Sequence, residues 1–493
     1  MIDDGVIVIG SGPTGAMATA TLVGRGVDVL LLDAGARAPR GLLVKAAGNT
    51  LYRRMGWSEY STDRLDPSND DMVDWVSSLS LGGLSNYWTA AVPRFAPEDF
   101  TDGARLDERY RWPITYEDLV PFYEVAERHL TITADGPIDR VPTNVRRYDR
   151  RLPADWQQIA SAANEHGHAV GVLPMAKGRP WMVSLRGTEF SSYYCVLAPL
   201  LESPHLQLVT NAEVVRLDHS AGSGRVESVT YLDRHSGERR TVRGRAVVVA
   251  AGAIDTTTLL LRSRSPDFPT GLGDSAGLLG RYLHDHPREW WTATPAKPLS
   301  ALSHPVYIAR SGYAESEPLI ATSLTLGLSS QLERLRTYYR GRSSSFGVQV
   351  FGTMIPTPDV GVSISDDVAD DGGPCHPRVD LRYDAVAVTN MVNARRRLRD
   401  VFADAGVDLT IPGPFHPLRP GSSVHYGGSV RMHADPQFGV LDGWNRMHDV
   451  PNVVVCDSSC FTTGPEKNPT LTAMAIAARA ADHLADSLSA GDR

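Results

Sequence analysis

A glycine-rich turn near the start of the chain, set between two apolar runs, constrains the fold more than any other feature. The runs Val6–Ile9 and Val29–Leu32 are continuously apolar, which is typical of buried parallel strands. The turn between them, Gly10–Gly15, reads Gly-Ser-Gly-Pro-Thr-Gly, and a segment of helical composition follows it. Asp33 comes directly after the second run. The pattern predicts a strand–helix–strand unit that binds a dinucleotide.

The chemistry of a dinucleotide explains the residue types in this unit. Gly10 permits a tight turn, Gly12 lets the backbone approach a pyrophosphate, and Gly15 lets helix and strand pack closely. The amino end of the helix faces the phosphates. Asp33 lies where a carboxylate accepts hydrogen bonds from ribose hydroxyls. A purely structural glycine turn is the alternative, but the flanking strands and the acid favour dinucleotide binding.

The length and composition of the chain limit what else it can be. At 493 residues it exceeds one typical domain, and 42% of its residues are hydrophobic, as in a globular protein with a large core. Its net charge of −8 disfavours nucleic acid and anionic membranes as partners. Apolar runs stay short of the roughly 18–20 residues of a membrane span. No basic segment with an apolar core precedes the first strand, so we expect a cytoplasmic location.

The cysteines and histidines do not form a metal-binding pattern. Four cysteines in so long a chain are not a disulfide framework, and we expect Cys456 and Cys460 to be buried free thiols. His284 and His286 flank Asp285, but a third ligand at suitable spacing is missing from the sequence. We therefore predict that the protein has no metal site.

Glycine-rich junctions recur near residues 82, 252 and 457, and the long stretches between them lack such signals. The chain is therefore predicted to interleave two domains in an α/β fold that is α+β overall. A dinucleotide-binding domain takes residues 1–95, 201–290 and 421–493, and a substrate-binding domain takes residues 96–200 and 291–420. Residues 36–80 have the composition of a polar, loop-rich segment.

Local patterns predict further elements in both parts of the chain. The predicted strands are Leu206–Thr210, Val214–Leu217, Val226–Leu232, Thr241–Arg243, Ala246–Val249, Val348–Val350 and Val360–Ile364, and the predicted helices are Thr115–Leu130, capped at Thr115, and Thr389–Ala403. The second helix carries Arg395, Arg396, Arg397 and Arg399, a charge run that we interpret as a solvated face.

Two polar residues near the carboxyl end are candidates for catalysis. His425 lies in a glycine-rich turn, and Asn468 precedes Pro469 at the start of an alanine-rich helix. An imidazole titrates near neutrality and suits a general base, and an amide can orient an oxygen without adding charge. The alternatives are a structural histidine in a turn and an asparagine that caps the helix.

The spread of these motifs along the chain resembles the glucose–methanol–choline (GMC) family of flavin oxidoreductases. The matching pieces, in family order, are Gly10–Gly15 with Asp33–Gly35, Gly82–Asn86, Ala250–Ala253, Gly280–Pro287, His425–Met432, Asp457–Ser459 and Asn468–Thr472. Within the family, the segments Leu81–Pro93, Trp112–Ile114 and Asn468–Pro469 resemble the pyranose-oxidase branch, which includes bacterial sugar and C-glycoside oxidases. The resemblance implies a Rossmann-like FAD-binding domain and a substrate domain built on an antiparallel sheet with helices.

The resemblance also implies the cofactor and the roles of particular residues. It implies FAD, with His425 and Asn468 as the catalytic pair that acts on an alcohol. The residues implied to contact the cofactor are Gly10, Gly12, Pro13, Thr14, Gly15, Asp33, Ala34, Gly82, Gly83, Ser85, Asn86, Tyr87, Trp88, Val214, Ala251, Gly252, Asp457, Ser458, Asn468, Pro469 and Thr470.

One departure from the family pattern bears on how the flavin is held. Fungal pyranose oxidases carry a histidine, bonded covalently to the flavin, where this chain has Tyr87. A tyrosine has no ring nitrogen to form such a link. We therefore predict non-covalent FAD.

Several alternatives stay open on the sequence alone. The favoured function is oxidation of a hydroxyl on a sugar, glycoside or cyclitol, with O₂ or another electron acceptor. The same fold also hosts hydroxynitrile lyases, and flavin dehydrogenases of aminoglycoside or other natural-product biosynthesis resemble this chain. A plain NAD dehydrogenase is disfavoured because cofactor signals return near residues 252 and 457, and a non-catalytic flavin-binding protein would not need the pair of His425 and Asn468. We expect a monomer or a small homo-oligomer.

Overall fold

The structure is a computed structural model of the chain. It describes residues 4–36, 38, 60–61, 75–134, 142, 144, 147–149, 151–176, 190–300, 306–310, 322–326, 341–365, 376–411, 413 and 420–491. The predicted loop-rich segment 36–80 lies mostly outside the described residues.

Strands and helices alternate irregularly along the described chain. The strands are β1 (Val6–Ile9), β2 (Val29–Leu32), β3 (Tyr60–Ser61), β4 (Ser77–Ser78), β5 (Ile132–Ala134), β6 (Arg147–Asp149), β7 (His168–Val172), β8 (Leu206–Val209), β9 (Ala212–Ser220), β10 (Arg225–Asp233), β11 (Arg239–Val242), β12 (Ala246–Val249), β13 (Arg288–Pro295), β14 (Leu299–Ser300), β15 (Val306–Arg310), β16 (Thr322–Leu326), β17 (Arg342–Ser343), β18 (Phe346–Gly352), β19 (Gly361–Ser363), β20 (Arg378–Asp380), β21 (Val407–Thr410) and β22 (Val453–Val455). The α-helices are α1 (Pro13–Gly24), α2 (Pro97–Thr101), α3 (Gly103–Leu106), α4 (Tyr116–His129), α5 (Gln157–Glu165), α6 (Ala253–Arg262), α7 (Ala385–Asp404) and α8 (Thr470–Ala490).

A parallel sheet of five strands carries the first glycine motif. Its strand order is β22-β12-β1-β2-β8, so β1 lies at the centre. Strand β1 pairs in parallel with β2 on one side and with β12 on the other. All four residues of β1 and of β12 are buried, as a sheet covered on both faces requires. Helices α1 and α8 pack against each other, and α1 contacts the sheet at β1, β2 and β12. The predicted α/β fold with a Rossmann-like sheet is confirmed.

The second large sheet is antiparallel and has six strands, in the order β21-β13-β18-β16-β15-β7. Side chains alternate along β13, where Glu289, Trp291 and Ala293 are buried. Trp291 and Ala293 belong to a second apolar core that also includes residues of α5 and α7. The antiparallel sheet with helices, implied by the family resemblance, is present. The exact division of the chain into two domains stays a prediction.

The local predictions agree with these elements within a few residues. Strands β8 to β12 and the helices α4 and α7 lie where the sequence predicts them. Thr115 caps α4, because its hydroxyl accepts a hydrogen bond from the Asp118 N–H and the Asp118 carboxylate accepts from the Thr115 N–H. Cys456 and Cys460 are buried free thiols, as expected.

The interpretation of the arginine run on α7 is wrong for one member. Arg396 and Arg399 are exposed, but the Arg395 side chain is only 12% exposed and forms an ion pair of 2.6 Å with the buried Glu289. The pairing arises because Glu289 points from β13 toward α7. The arginine run therefore includes one residue, Arg395, that pairs with a buried acid, while Arg396 and Arg399 form a solvated face.

Within the described residues, none of the helices combines the length and the apolar character needed to cross a bilayer.

Candidate active site

A cavity of about 500 Å³ lies at the carboxyl edge of the parallel sheet. Gly10, Asp33, Ala250 and Asp457 each line it just beyond the end of a parallel strand. Ligands of open parallel sheets bind at this edge, where the strand order reverses. The cavity continues to the antiparallel sheet, which contributes Gln349 and other side chains to its far wall.

The cavity brings together most of the residues that the sequence assigns to a site. Those that line it are Gly10, Gly12, Pro13, Thr14, Asp33, Ala34, Gly83, Ser85, Tyr87, Trp88, Val214, Ala251, Gly252, His425, Asp457, Ser458, Asn468, Pro469 and Thr470. Gly15, Gly82 and Asn86 lie outside the described lining.

Three helices direct their amino ends at the cavity. The first residues of α1, α6 and α8 all line it. The unpaired N–H groups and the partial positive charge at these ends favour an anion such as a pyrophosphate. A Cβ added to Gly12 would meet nothing within 4 Å, so there is open space directly in front of the turn.

The glycines of the first turn differ in what their missing side chains permit. At Gly10 φ is +97°, and an added Cβ would lie 2.5 Å from the Ala250 carbonyl oxygen. At Gly15 an added Cβ would lie only 1.9 Å from the Gly10 carbonyl oxygen. Gly10 and Gly15 therefore hold the turn, the helix and the neighbouring strand together, while Gly12 leaves room for a ligand.

Asp33 holds together the turns at one end of the cavity. Its carboxylate accepts hydrogen bonds from the Ser11 N–H at 2.8 Å, the Ser11 hydroxyl at 2.5 Å and the Gly35 N–H at 2.7 Å. Burial raises the pKa of Asp33, and these three hydrogen bonds oppose that shift. The Ser11 hydroxyl also accepts from the Gly82 N–H at 2.8 Å, which ties the second glycine turn to the first.

Asp457 likewise accepts several hydrogen bonds, at the end of the edge strand β22. It follows β22 and accepts from the Gly252 N–H at 3.0 Å, the Thr256 hydroxyl at 2.5 Å and the Ser459 N–H at 2.9 Å. The carboxylate therefore fixes the amino end of α6 against the end of β22. Burial raises its pKa, and the same hydrogen bonds oppose the shift.

Asn86 uses its amide within the protein. The Asn86 Nδ2 donates to the Leu81 carbonyl at 2.8 Å, and its Oδ1 accepts from the Ser191 hydroxyl at 2.8 Å. Gly82 adopts a φ of +90° at the start of the same turn. Both residues shape the loop that presents Gly83, Ser85 and the aromatic side chains to the cavity.

The imidazole of His425 and the amide of Asn468 meet in the cavity wall. The Asn468 Nδ2 lies 3.0 Å from the His425 Nε2. The cap position of α8 is Pro469, so Asn468 is not the residue that caps this helix. Among the described residues, His425 is the only histidine that lines the cavity.

The neighbours of His425 fix the position of its ring. The His286 ring lies 5.0 Å away on one side and the Phe351 ring 5.7 Å away on another. The backbone N–H of His425 donates to the buried Asp285 carboxylate at 3.0 Å, and the N–H of Ser423 donates to it at 3.3 Å. Val424, between them, has a φ of +59°, a strained conformation for a β-branched residue.

Burial and charge keep the imidazole neutral. Burial, and secondarily the charge of Arg288, lower the pKa of His425 to about 3. Burial also lowers the pKa of His286 well below its ordinary value, and it raises the pKa of Asp285 to about 6. At neutral pH the His425 ring is therefore neutral, and its nitrogen without a hydrogen has a lone pair that can accept a proton.

The cavity also contains residues that the sequence did not single out. They are chiefly Arg288 on β13 and Gln349 and Phe351 on β18, with Ser11 and the segment Trp75–Ser80 at the other end. Ser11 falls within the glycine motif, so its position there was a usable signal. The residues of β13 and β18 carry no motif, because only the pairing of the two strands brings them to the site.

The cavity is therefore a long groove with an imidazole–amide pair at one end. The groove suits FAD, since open space lies before Gly12, three helix ends face it and two carboxylates organise its walls. Among the described residues, no group of histidines, cysteines and acids could hold a metal ion.

Comparison with known proteins places the chain in a family. The family described as GMC oxidoreductase matches it in two parts, over residues 67–288 and 356–477. The chain belongs to the GMC oxidoreductase family. It is therefore an oxidoreductase that acts on alcohol groups, and members of the family generally bind FAD.

Two relatives and one solved structure show the range of similar proteins. The 6'''-hydroxyparomomycin C oxidase of Streptomyces lividus is 29% identical over 98% of this chain and 92% of that protein. The C-glycoside 3-oxidase of Microbacterium trichothecenolyticum is 27% identical over 84% of this chain and 76% of that protein. Pyridoxine 4-oxidase from Mesorbium loti has the same fold, with a TM-score of 0.69 over 97% of this chain and 99% of that chain at 18% identity.

Proposed function

We propose that the protein is an FAD-dependent enzyme that oxidises a hydroxyl of a sugar, glycoside or cyclitol-like molecule to a carbonyl. The observation that carries this proposal is the contact of 3.0 Å between His425 and Asn468 in the wall of the cofactor groove. The names of the related oxidases support a glycoside or a sugar-bearing natural product as the substrate. Oxidation within natural-product biosynthesis is the second candidate, and the first of these relatives favours it.

In this proposal, Asn468 orients the alcohol and His425 removes its hydroxyl proton. The amide of Asn468 donates a hydrogen bond that fixes the alcohol oxygen beside the imidazole. His425, kept neutral by burial, accepts the hydroxyl proton at Nε2 as the carbon–hydrogen bond breaks. When bound, FAD supplies the acceptor for the hydride that leaves the carbinol carbon.

The groove would hold FAD through the residues described above. Gly12 and the amino ends of α1, α6 and α8 would face the pyrophosphate, and Asp33 would face the adenosine ribose. The backbone of Glu213 and Val214, which line the groove beyond Asp33, would meet the adenine.

We also propose that the flavin is held without a covalent bond, because Tyr87 lines the groove where a histidine link would be needed. Acid precipitation of the purified protein should release the yellow flavin into the supernatant. A pellet that keeps its flavin through acid and denaturant would contradict this.

Rapid anaerobic mixing of the enzyme with a reactive alcohol tests the role of His425. His425→Ala should lower the rate of flavin reduction by roughly two to four decades, the usual worth of a general base. His166→Asn is a matched control, because His166 is bonded to Asp404 outside the cavity lining and should leave the rate unchanged. A His425→Ala variant that reduces its flavin at nearly the wild-type rate would overturn the assignment.

A further inference from the structure

The turn that carries His425 has a backbone conformation that its sequence does not favour. Val424, the residue before His425, has a φ of +59°. A β-branched side chain rarely adopts this left-handed conformation, which persists only where the surrounding structure holds it. The contacts that hold the turn therefore determine where the imidazole of His425 lies.

Asp285 provides two of these contacts through its two carboxylate oxygens. Its Oδ1 accepts a hydrogen bond from the His425 N–H at 3.0 Å, and its Oδ2 accepts from the Ser423 N–H at 3.3 Å. These two N–H groups lie on either side of Val424 in the chain. One carboxylate therefore bridges the strained residue, with one oxygen for each side.

Backbone contacts on both sides of Asp285 fix the position of its carboxylate. Next to it, the His284 N–H donates to the Gly427 carbonyl at 2.9 Å, and the Gly427 N–H donates to the His284 carbonyl at 3.0 Å. On the other side, the Ser423 hydroxyl donates to the His286 carbonyl at 2.5 Å. Asp285 is only 1% exposed, so its carboxylate meets protein groups rather than solvent.

The His425 N–H and the His425 side chain are attached to the same backbone. The hydrogen bond from this N–H to Asp285 restrains rotation about the His425 backbone, and thereby the ring, which lies 3.0 Å from the Asn468 Nδ2. Asp285 is not among the described residues that line the cavity. Any effect of Asp285 on a bound alcohol therefore passes through His425.

From these contacts we infer that Asp285 is a positioning residue for the proposed reaction. Its two oxygens hold the turn at Val424 so that the imidazole of His425 lies beside the Asn468 amide. The inference rests on the proposed function, since it concerns the base of that reaction.

The carboxyl group suits this role because both of its oxygens can accept a hydrogen bond, even when one of them is protonated. The amide of an asparagine has one oxygen, and its nitrogen only donates. Asp285→Asn should therefore keep one of the two contacts, and Asp285→Ala should keep neither.

Anaerobic flavin reduction of the holoenzyme tests the inference, with the fastest substrate from a panel of methyl glycosides and cyclitols. Asp285→Ala should lower the limiting rate roughly 100-fold, the typical cost of a misplacement of about 1 Å, and Asp285→Asn should lower it less. The dissociation constant of the substrate should change by less than about threefold, because Asp285 lies outside the cavity lining.

A double variant separates positioning of His425 from general damage to the site. When His425→Ala has already removed the imidazole, adding Asp285→Asn should change the residual rate by less than about threefold, because effects that act through one group are not additive. Damage to the flavin groove would instead slow both backgrounds by the same factor. Equal factors in the two backgrounds would overturn the inference.

A matched control is Asp274→Asn. Asp274 likewise accepts from a backbone N–H, that of Leu279 at 2.9 Å, and from the Thr270 hydroxyl at 2.9 Å, but it is outside the cavity lining. This variant should keep the limiting rate within about twofold of the wild type. Limiting rates of the wild type in both Asp285→Asn and Asp285→Ala would contradict the positioning role.

Crystal structures separate this inference from the proposed function. In Asp285→Ala, or in Asp285→Asn if the alanine variant does not fold, Val424 should leave the left-handed region, and the His425 Nε2 should lie more than about 3.5 Å from the Asn468 Nδ2. If this shift occurs but no alcohol reduces the flavin, the proposed function fails and the positioning of His425 by Asp285 stands. If His425→Ala slows flavin reduction but the turn keeps its wild-type conformation without Asp285, the inference about Asp285 fails alone.

Discussion

Two glycines of the same turn should respond to alanine in opposite ways. The Gly12 backbone has a φ of −59° and a ψ of 179°, which alanine adopts without strain, and its added Cβ would meet no protein atom within 4 Å. Gly12→Ala should therefore leave the apoprotein as stable as the wild type or more stable by about 0.4–1 kcal/mol, through the lower entropy of the unfolded chain.

The same methyl group would occupy the space in which we place the pyrophosphate. An extra methyl in a well-packed contact costs about 1–3 kcal/mol, which corresponds to roughly a 5- to 150-fold loss of affinity. Gly12→Ala should therefore be purified folded but with little flavin, and its affinity for FAD should fall by about that factor.

Gly15→Ala should fail for a different reason. Its Cβ would lie 1.9 Å from the Gly10 carbonyl oxygen and 3.3 Å from the Ala250 Cβ. The oxygen belongs to the backbone of a tight turn, so relief requires α1 to move away from the sheet. We expect a loss of about 3 kcal/mol or more, which exceeds the gain of about 1 kcal/mol from replacing a helical glycine.

The assay compares both variants with the wild type after removal of flavin. Thermal unfolding of the apoproteins gives their relative stabilities, and titration with FAD gives the affinities. A Gly12→Ala variant with wild-type affinity for FAD would refute the location of the pyrophosphate, and a Gly15→Ala apoprotein as stable as the wild type would refute the packing argument.

Two further predictions concern pH. Because the pKa of His425 is lowered to about 3, the base stays neutral on acidification, and the rate of flavin reduction should hold between about pH 8 and pH 5; a fall centred near pH 6.5 that His425→Asn abolishes would contradict this. Asp285 has its pKa raised from 3.8 to about 6, so its stabilising contribution is complete below pH 3.8 and is lost as pH rises through 6. Relative to Asp285→Asn, the wild type should lose about 2 kcal/mol of unfolding free energy between pH 4 and pH 7, measured by denaturant titration at both pH values; a constant difference would contradict it.

The sequence was sufficient where a short segment fixes its own geometry. The turn at Gly10–Gly15 needs glycine for local reasons, namely a positive φ and a close contact with a neighbouring strand, and these reasons can be inferred from residue types. The same holds for Thr115, whose hydroxyl caps the helix that follows it. His425 and Asn468 were found through the family motifs, and their contact required the fold to bring together segments 43 residues apart.

The sequence was insufficient where a side chain's surroundings depend on strand pairing. Arg288 reaches the cavity, and Glu289 reaches Arg395, only because β13 pairs with β18 in one register; a shift of one residue would exchange the two faces. No sequence feature near Arg288 predicts the register in which β13 pairs with β18. Asn86 has the same difficulty on a smaller scale, since its segment does not reveal that its amide serves Leu81 and Ser191 rather than the cavity.

The central claim is that a hydroxyl-bearing carbon gives its hydrogen to FAD beside His425 and Asn468. Anaerobic mixing of the holoenzyme with a panel of glycosides and sugar acids, each with hydrogen or deuterium on the carbinol carbon, tests it most directly. We expect the visible flavin band to bleach with at least one substrate and to bleach more slowly with deuterium. A flavin that no alcohol bleaches, or that bleaches at a rate independent of deuterium in the wild type and in a variant slowed at His425, would contradict the claim.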